Sequence, residues 1–207
     1  MRQAAIGFRV HSGWAALVAV SLDEGAPVVL LRARPRLVRT FTYEFRQPYH
    51  TAERKPPSQA EGIIARAKAE AATLACDAIH AAQTALREQS CELSHAALLL
   101  SSGRPLPKEL AEILASHALI HTADGELFRE ALIEASIRCG CSMFTEKEKT
   151  LLDTASRAFD LSPQELSARL GGLGAALGAP WTQDEKLAAA AAWLSLVPSR
   201  AARMKSN

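Results

Sequence analysis

The sequence predicts an α/β fold with a mixed sheet, in which three antiparallel strands precede α/β units and a C-terminal helical extension. Short apolar runs separated by turn residues fill the first 33 residues, whereas apolar residues at helical spacing dominate from residue 58 onward. Apolar residues make up 48% of the chain and aromatic residues only 5%, which is typical of closely packed helices rich in Ala and Leu. An all-β sandwich is therefore not expected.

The first elements are expected to form an antiparallel meander. Turn-prone triplets at residues 11–13 and 23–25 divide this region, and connections this short join neighbouring antiparallel strands. The predicted strands are Ala4–Val10, Trp14–Leu22 and Pro27–Ala33. From 34 to 57, prolines alternate with arginines and aromatic residues, so we predict a long ordered loop with one candidate strand at Val38–Tyr43.

Four capping boxes predict helix starts in the remainder of the chain. In each, a Ser or Thr is followed three residues later by Glu, so that each side chain can accept the other residue's backbone N–H. The boxes are Ser58–Glu61, Thr145–Glu148, Ser162–Glu165 and Thr182–Glu185. The helices expected after them run near 59–89, 146–159, 163–177 and 183–197.

Two strands and two helices are expected between the first two of these helices. The elements are a buried strand at Ala96–Ser102, a helix from Pro107 to about His117, a helix from about Thr122 or Asp124 to Cys139, and a strand at Cys141–Phe144. We divide the chain into an α/β core over 1–160 and a helical extension over 161–207 packed on it. Residues 200–207 are expected to be frayed.

Composition limits the classes of protein that this chain can belong to. The net charge of +2 is too small to identify a partner, although residues 1–57 carry nine basic side chains against four acidic ones. Four cysteines without Cys-x-x-Cys spacing are expected to be free thiols. No apolar run reaches the roughly 18 residues of a membrane span, and the first residues are too polar for a secretory signal. We therefore expect a cytoplasmic protein that does not bind membranes.

The order of elements resembles the ribonuclease H-like fold over roughly residues 3–160. Actin-like ATPases, transposase cores and Holliday-junction resolvases share this core. The local pattern is similar too: Ile6-Gly7-Phe8-Arg9, a turn with Gly13, and a second strand that begins Trp14-Ala15. In catalytic members of this fold the resemblance implies an Asp on the first strand, further acids on the central strand and a helix, and two divalent cations between them.

This chain departs from that catalytic pattern, because Arg9 stands where the Asp is expected and the central strand offers Ser101 and Ser102. The catalytic acids are thus missing from these positions, and a guanidinium in their place repels a metal ion, so we do not expect two-metal nuclease chemistry. Ile6 and Phe8 should face one side of the sheet, and Gly7 and Arg9 the other. A guanidinium in the cleft needs an acceptor, and the expected carboxylates are Glu126, Asp124 and Glu61.

The chain is also similar to a family of uncharacterised bacterial proteins. Four motifs carry this resemblance: R-V-H-S-G-W-A (Arg9–Ala15), R-Q-P-Y-H (Arg46–His50), H-T-A-D-G-E-L-F-R (His121–Arg129) and P-W-T-Q-D-E-K-L-A-A-A-A-A-W-L (Pro180–Leu194). The resemblance implies no activity, but it favours these segments as the site.

A polar cluster interrupts the apolar stretch around residues 117–129. Its members are His117, His121, Thr122, Asp124, Gly125, Glu126 and Arg129. On one continuous helix the two histidines would lie one turn apart and could bind a transition metal with Asp124. Thr122 and Asp124 look like a helix start, however, so we predict no metal and no cofactor. A helix that starts there can bind an anion through its free backbone N–H groups, with positive charge from His121 and Arg129. The alternative is that Glu126 and Arg129 only form an i,i+3 ion pair on the helix surface.

Two further segments are candidates for anion or nucleic-acid binding. The strand–turn–strand at Arg9, His11 and Ser12 can grip an anion through backbone N–H groups, or it can be an ordinary turn. Arg46, Tyr49 and His50 belong to a segment in which arginines alternate with aromatic rings, as on single-stranded nucleic-acid surfaces. A loop supported by its own aromatic side chains would have the same composition.

Three functional hypotheses follow. The leading one is a catalytically degenerate ribonuclease H-like domain that binds a phosphate-bearing ligand, RNA or a nucleotide. Its ligand-binding residues are Arg9, His11, Ser12, Arg46, Tyr49, His50, Asp124 and Arg129. The second is a metal-independent acid/base enzyme in which His121 or His50 is the base, Glu126 or Asp124 orients it, and Arg9 or Arg129 stabilises an oxyanion; His121 with Glu126 is the preferred pair. The third is a scaffold that binds other proteins.

Overall fold

The computed structural model describes residues 1–103 and 105–197. Its centre is one five-stranded sheet of order β3-β2-β1-β4-β5. The strands β1 (Arg2–His11), β2 (Trp14–Asp23) and β3 (Ala26–Ala33) form the predicted antiparallel meander. The strands β4 (Cys91–Leu100) and β5 (Ser142–Lys147) run parallel to β1, which makes the sheet mixed. The α/β class, the mixed sheet and the order of strands and helices along the chain predicted from the sequence are confirmed.

Eight α-helices and one short 3₁₀ helix (Ala175–Leu177) surround this sheet in the described residues. The α-helices are α1 (Tyr43–Arg46), α2 (Pro48–Ala52), α3 (Pro57–Glu88), α4 (Leu110–Leu114), α5 (His117–Arg138), α6 (Glu148–Phe159), α7 (Pro163–Gly172) and α8 (Gln183–Leu196). None of them is long and apolar enough to cross a bilayer. The expected fraying at residues 200–207 lies outside the described residues.

The two faces of the sheet pack against different helices. Ile6 and Phe8 of β1 belong to the core that the sheet shares with α3 and α5. Gly7 lies on the other face, where α8 packs directly on the strand: a Cβ built on Gly7 would be 1.9 Å from the carbonyl oxygen of Ala188. The predicted alternation along β1 is therefore present, and a residue without a side chain is what lets α8 approach this closely.

Two of the four predicted capping boxes form and two do not. Ser162 and Thr182 each cap a helix reciprocally with the Glu three residues on. At α3 the cap position is Pro56 and Pro57 is the first helical residue, so Ser58 lies inside the helix. Thr145 lies in β5, which extends to Lys147 before α6 begins. The Ser58 and Thr145 boxes were thus wrong, because a longer helix and a longer strand include the residues that would have capped.

The helix that carries the polar cluster begins earlier than predicted. It starts at His117, not near Thr122 or Asp124, and it continues without interruption to Arg138. The preceding helix α4 is limited to five residues and does not begin at Pro107. Asp124 does not cap α5; its carboxylate binds Tyr49 and His50 of the neighbouring helix α2. The predicted anion site at a helix start near Thr122 is therefore wrong.

Residues 34–57 form no strand at Val38–Tyr43. An isolated bridge joins Arg36 to Trp14, and the short helices α1 and α2 follow. The helix α2 packs against α3 and α5, which brings its side chains onto the face of α5 that carries the histidines. This placement creates the site.

Candidate functional site

Three histidine side chains converge where α2 meets α5. His117 and His121 are one turn apart on α5, and their ring centroids are 4.5 Å apart. The His50 ring of α2 lies 5.2 Å from His117 and 4.4 Å from His121. Because α5 is continuous from residue 117, the i,i+4 spacing puts both of its histidines on one face. Nε2 of His117 lies 3.1 Å from Nε2 of His121.

Asp124 connects this cluster to the backbone of α2. Its side chain is buried, with 2% of the residue exposed. The carboxylate accepts the backbone N–H of Tyr49 at 2.7 Å and a hydrogen bond from Nδ1 of His50. Burial raises the pKa of Asp124, and the bonds from His50 and Tyr49 oppose that shift. An ionised Asp124 only accepts hydrogen bonds, so with this partner Nδ1 of His50 carries the proton and Nε2 is the ring nitrogen with the lone pair.

A second feature adjoins the histidines. Arg36, Phe41, Tyr43 and Phe45 are exposed in one short segment of chain that ends at the partly buried Arg46, and we name these five residues the aromatic–arginine surface. The exposed fractions of Phe41, Tyr43 and Phe45 are 38%, 59% and 44%. The guanidinium carbons of Arg36 and Arg46 lie 5.0 Å and 4.9 Å from the centre of the Phe41 ring. The Tyr43 ring centroid is 6.2 Å from that of His50, so the surface reaches the histidine cluster.

Tyr49, predicted to bind a ligand, does not belong to that surface. Its side chain is buried with 5% exposed, and burial raises the pKa of its hydroxyl to about 12. The contribution of Tyr49 to the site is its backbone N–H on Asp124.

Arg9 lies at the opposite face of the sheet, among carboxylates of α6 and α8. Its guanidinium donates to Glu148 at 3.1 Å and 2.7 Å and also to Asp184. The bonds to Glu148 and Asp184 raise the pKa of Arg9 against the effect of desolvation. The prediction that carboxylates bind the Arg9 guanidinium is therefore confirmed. The prediction that these carboxylates are Glu126, Asp124 or Glu61 is wrong.

The neighbours of Arg9 extend this charged cluster. His11 Nε2 lies 3.1 Å from Asp184, and its ring stacks on Trp14 at a centroid distance of 4.3 Å. Arg34 donates to the buried Glu185 at 3.0 Å and 2.7 Å. Ser12 lies in the turn between β1 and β2. The carboxylates of α6 and α8 thus neutralise Arg9 and Arg34.

Glu126 and Arg129 form the simple i,i+3 pair that was the alternative to a ligand site. Glu126 accepts from Arg129 at 3.0 Å and from the Ser101 hydroxyl at 2.7 Å, and not from His121. It lines an open cavity of about 800 Å³ between α3 and α5, beside Lys68 and Lys147. The His121–Glu126 pair of the enzyme hypothesis is thus not formed, and within the histidine cluster the carboxylate contact is the alternative pair, His50 with Asp124.

The predicted residues therefore fall into separate groups. His50, His121, Asp124 and the Tyr49 backbone converge; Arg46 belongs to the adjoining aromatic–arginine surface; Arg9 and His11 lie with α8; Glu126 and Arg129 lie at the cavity. The predicted ligand set lacked His117, Arg34, Glu148, Asp184 and Glu185. The Thr182 capping box placed Asp184 and Glu185 at a helix start, but no local signal placed that start beside Arg9.

Comparisons with known proteins concern the fold. No family model and no curated protein matches the sequence. Among solved structures the chain is similar to T. thermophilus RuvC in complex with Holliday junction substrate, with a TM-score of 0.54 and 13% identity over 98% of this chain and 96% of that one. A Thermus thermophilus RuvC structure gives a TM-score of 0.51 and 12% identity over the same shares. The predicted ribonuclease H-like fold is confirmed, since this chain shares the fold of RuvC.

Proposed function

We propose that this protein is a nucleic-acid-binding domain of ribonuclease H-like fold whose β1 position holds an arginine in place of a catalytic acid. In this proposal it binds single-stranded RNA or DNA through the aromatic–arginine surface. The single observation that carries the proposal is the exposure of three aromatic rings within five residues, beside two arginines that contact one of them. Membership of the bacterial family named above stays a prediction.

The exposed rings are unusual on this molecule. Phe41, Tyr43 and Phe45 are three of the seven large apolar side chains exposed in the described part of the chain. Exposed aromatic rings close to guanidinium groups are typical of surfaces that stack unpaired bases, and each stacked base contributes about 1–3 kcal/mol. Arg9 and Arg34 pair with carboxylates of α6 and α8, so the attraction to phosphates here comes from Arg36 and Arg46 beside the rings.

The contacts of Arg9 with Glu148 and Asp184 support a binding function without two-metal catalysis. A guanidinium already occupies the space between Glu148 and Asp184, and it neutralises the carboxylates that a divalent cation would need. T. thermophilus RuvC has been described with a Holliday junction substrate. We propose nucleic acid as the ligand class here as well, without cleavage at β1.

Fluorescence anisotropy with short single-stranded RNA, single-stranded DNA, duplex and four-way junction DNA tests this proposal. We expect single strands to bind most tightly and the affinity to fall with salt, because phosphate contacts release counterions. Tyr43→Ala should weaken binding by about 1–3 kcal/mol through the loss of one stacked base. Ile137→Ala is the matched control, since Ile137 is an apolar residue of similar exposure, 57%, at the far end of α5.

Two results would contradict the proposal. One is the absence of binding, or binding that salt does not weaken. The other is an equal loss of affinity in Tyr43→Ala and Ile137→Ala, which would mean that the aromatic–arginine surface is not the binding surface.

A further inference from the structure

We propose that His50, His117 and His121 form a binding site for a divalent transition metal ion, with Zn²⁺ as the preferred ion and one ring nitrogen from each histidine as ligand. This site is independent of the nucleic-acid proposal. It also differs from the carboxylate sites of catalytic ribonuclease H-like proteins, because its ligands are imidazoles on the other side of the sheet.

The distances between the nitrogens fit one shared ion. One ligand nitrogen from each histidine can be chosen so that all three lie within 4.8 Å of one another. Two nitrogens bound at 2.0–2.1 Å to a tetrahedral Zn²⁺ lie about 3.3 Å apart. The Nε2 atoms of His117 and His121 are 3.1 Å apart, which is already close to that separation.

The types of ligand decide the class of metal. Imidazole nitrogen favours Zn²⁺, Co²⁺, Ni²⁺ and Cu²⁺, whereas Mg²⁺, Mn²⁺ and Ca²⁺ prefer oxygen ligands. The carboxylate at this site, Asp124, bonds to Nδ1 of His50 rather than joining the three nitrogens. We therefore expect selection of a borderline metal and weak competition by Mg²⁺.

Asp124 gives His50 the orientation that a ligand needs. Histidines that bind metals commonly donate their second ring N–H to a carboxylate, which fixes the tautomer and makes the free nitrogen more basic. Here the carboxylate is buried and is itself held by the Tyr49 N–H at 2.7 Å. Asp124 is thus a positioning residue, and it leaves Nε2 of His50 free to coordinate.

The site leaves one coordination position open. His117 and His121 are exposed, and His50 is partly buried, so solvent reaches the ion from the side of α5. Three histidines and an open fourth position are the ligand set of catalytic rather than structural zinc sites. A water or an anionic oxygen of a ligand would take the fourth position, at the border of the aromatic–arginine surface.

Metal titration of the untagged, chelator-treated full chain tests this site. With Co²⁺ we expect one ion per chain and the visible absorption of a tetrahedral nitrogen-ligated ion, which Zn²⁺ displaces and a large excess of Mg²⁺ does not. His117→Gln and His121→Gln should each weaken binding by more than the roughly 10–100-fold expected for loss of a positioning residue in Asp124→Asn. Both histidines are exposed, so these two variants should keep the wild-type fold by circular dichroism.

His80→Gln is the matched control, because His80 is also an exposed helical histidine but lies near Cys139. It should bind Co²⁺ as the wild type does. Three outcomes would overturn the proposal: no tetrahedral Co²⁺ spectrum, wild-type affinity in folded His117→Gln and His121→Gln, or a thiolate-to-cobalt band that His80→Gln removes. The last would place the metal at Cys139 and its neighbours.

Discussion

Glu185 shows how one side chain couples a helix start to the charged face of the sheet. It is fully buried, accepts the Thr182 backbone N–H at 2.8 Å and accepts twice from Arg34. Burial raises the pKa of this carboxyl, but the bonds from Thr182 and Arg34 outweigh it and lower the pKa from 4.5 to about 2. The ionised form is therefore the form that the folded protein stabilises.

We predict a specific acid sensitivity from Glu185. A carboxyl whose pKa is lower in the folded than in the unfolded chain stabilises the fold above its unfolded pKa. That contribution, up to about 3 kcal/mol, disappears as the pH falls from 4.5 toward 2. In urea unfolding, Glu185→Gln should thus be far less stable than the wild type near neutral pH, and the difference should shrink at about pH 3.

Glu165→Gln is the control for this prediction. Glu165 holds the same position in the Ser162 capping box, and hydrogen bonds from Ser162 also lower its pKa, but it is exposed and receives no arginine hydrogen bond. Its replacement should change stability less at every pH. Equal effects in the two variants would show that the capping box alone, and not burial with Arg34, sets the sensitivity.

The packing of α8 on β1 depends on Gly7. A Cβ at this position would meet three backbone atoms of α8 within 3 Å, at Ala188 and Ala192, and backbone cannot move aside as a side chain end can. Gly7→Ala should therefore destabilise the protein by about 1–3 kcal/mol or more in urea unfolding.

Gly62→Ala should have the opposite sign. Gly62 lies inside α3, and its nearest new neighbour would be the end of the flexible Arg66 side chain at 3.4 Å. Alanine in a helix interior is about 0.5–1 kcal/mol more favourable than glycine. Tolerance of Gly7→Ala would contradict the close approach of α8, and destabilisation by Gly62→Ala would contradict the open surroundings of Gly62.

The strands and helices that were predicted correctly are those whose boundaries depend on interactions between residues close in sequence. The meander followed from two turns, and α7 and α8 from capping boxes whose partners are three residues apart. The start of α5 could not be predicted, since Asp124 is polar in order to bind α2, 74 positions away at His50. The partners of Arg9 are 139 and 175 positions away, a separation that no spacing pattern reports.

The last helices of the chain form part of the core of the whole molecule, although the sequence predicted that they belong to an extension that begins at residue 161. Eight consecutive residues, 187–194, are buried, because α8 lies between the sheet and the helices α6 and α7. The Trp193 ring stacks on Phe159 at a centroid distance of 3.6 Å, which joins α8 to α6. A helix buried on all sides is a core element, even though it comes last in the chain.

The division into a core over 1–160 and an extension over 161–207 stays a prediction that truncation tests. Without α7 and α8, the apolar face of β1, β2 and β4 around Val18, Val20 and Leu99 would lie open to water, and large exposed apolar patches cause aggregation. We expect a chain ending at residue 160 to be insoluble or to lack cooperative thermal unfolding. A chain ending at residue 197 keeps every described element and should unfold as the full chain does. Cooperative unfolding of the 1–160 chain would instead establish an independent core, with α8 as an appendage that the sheet does not require.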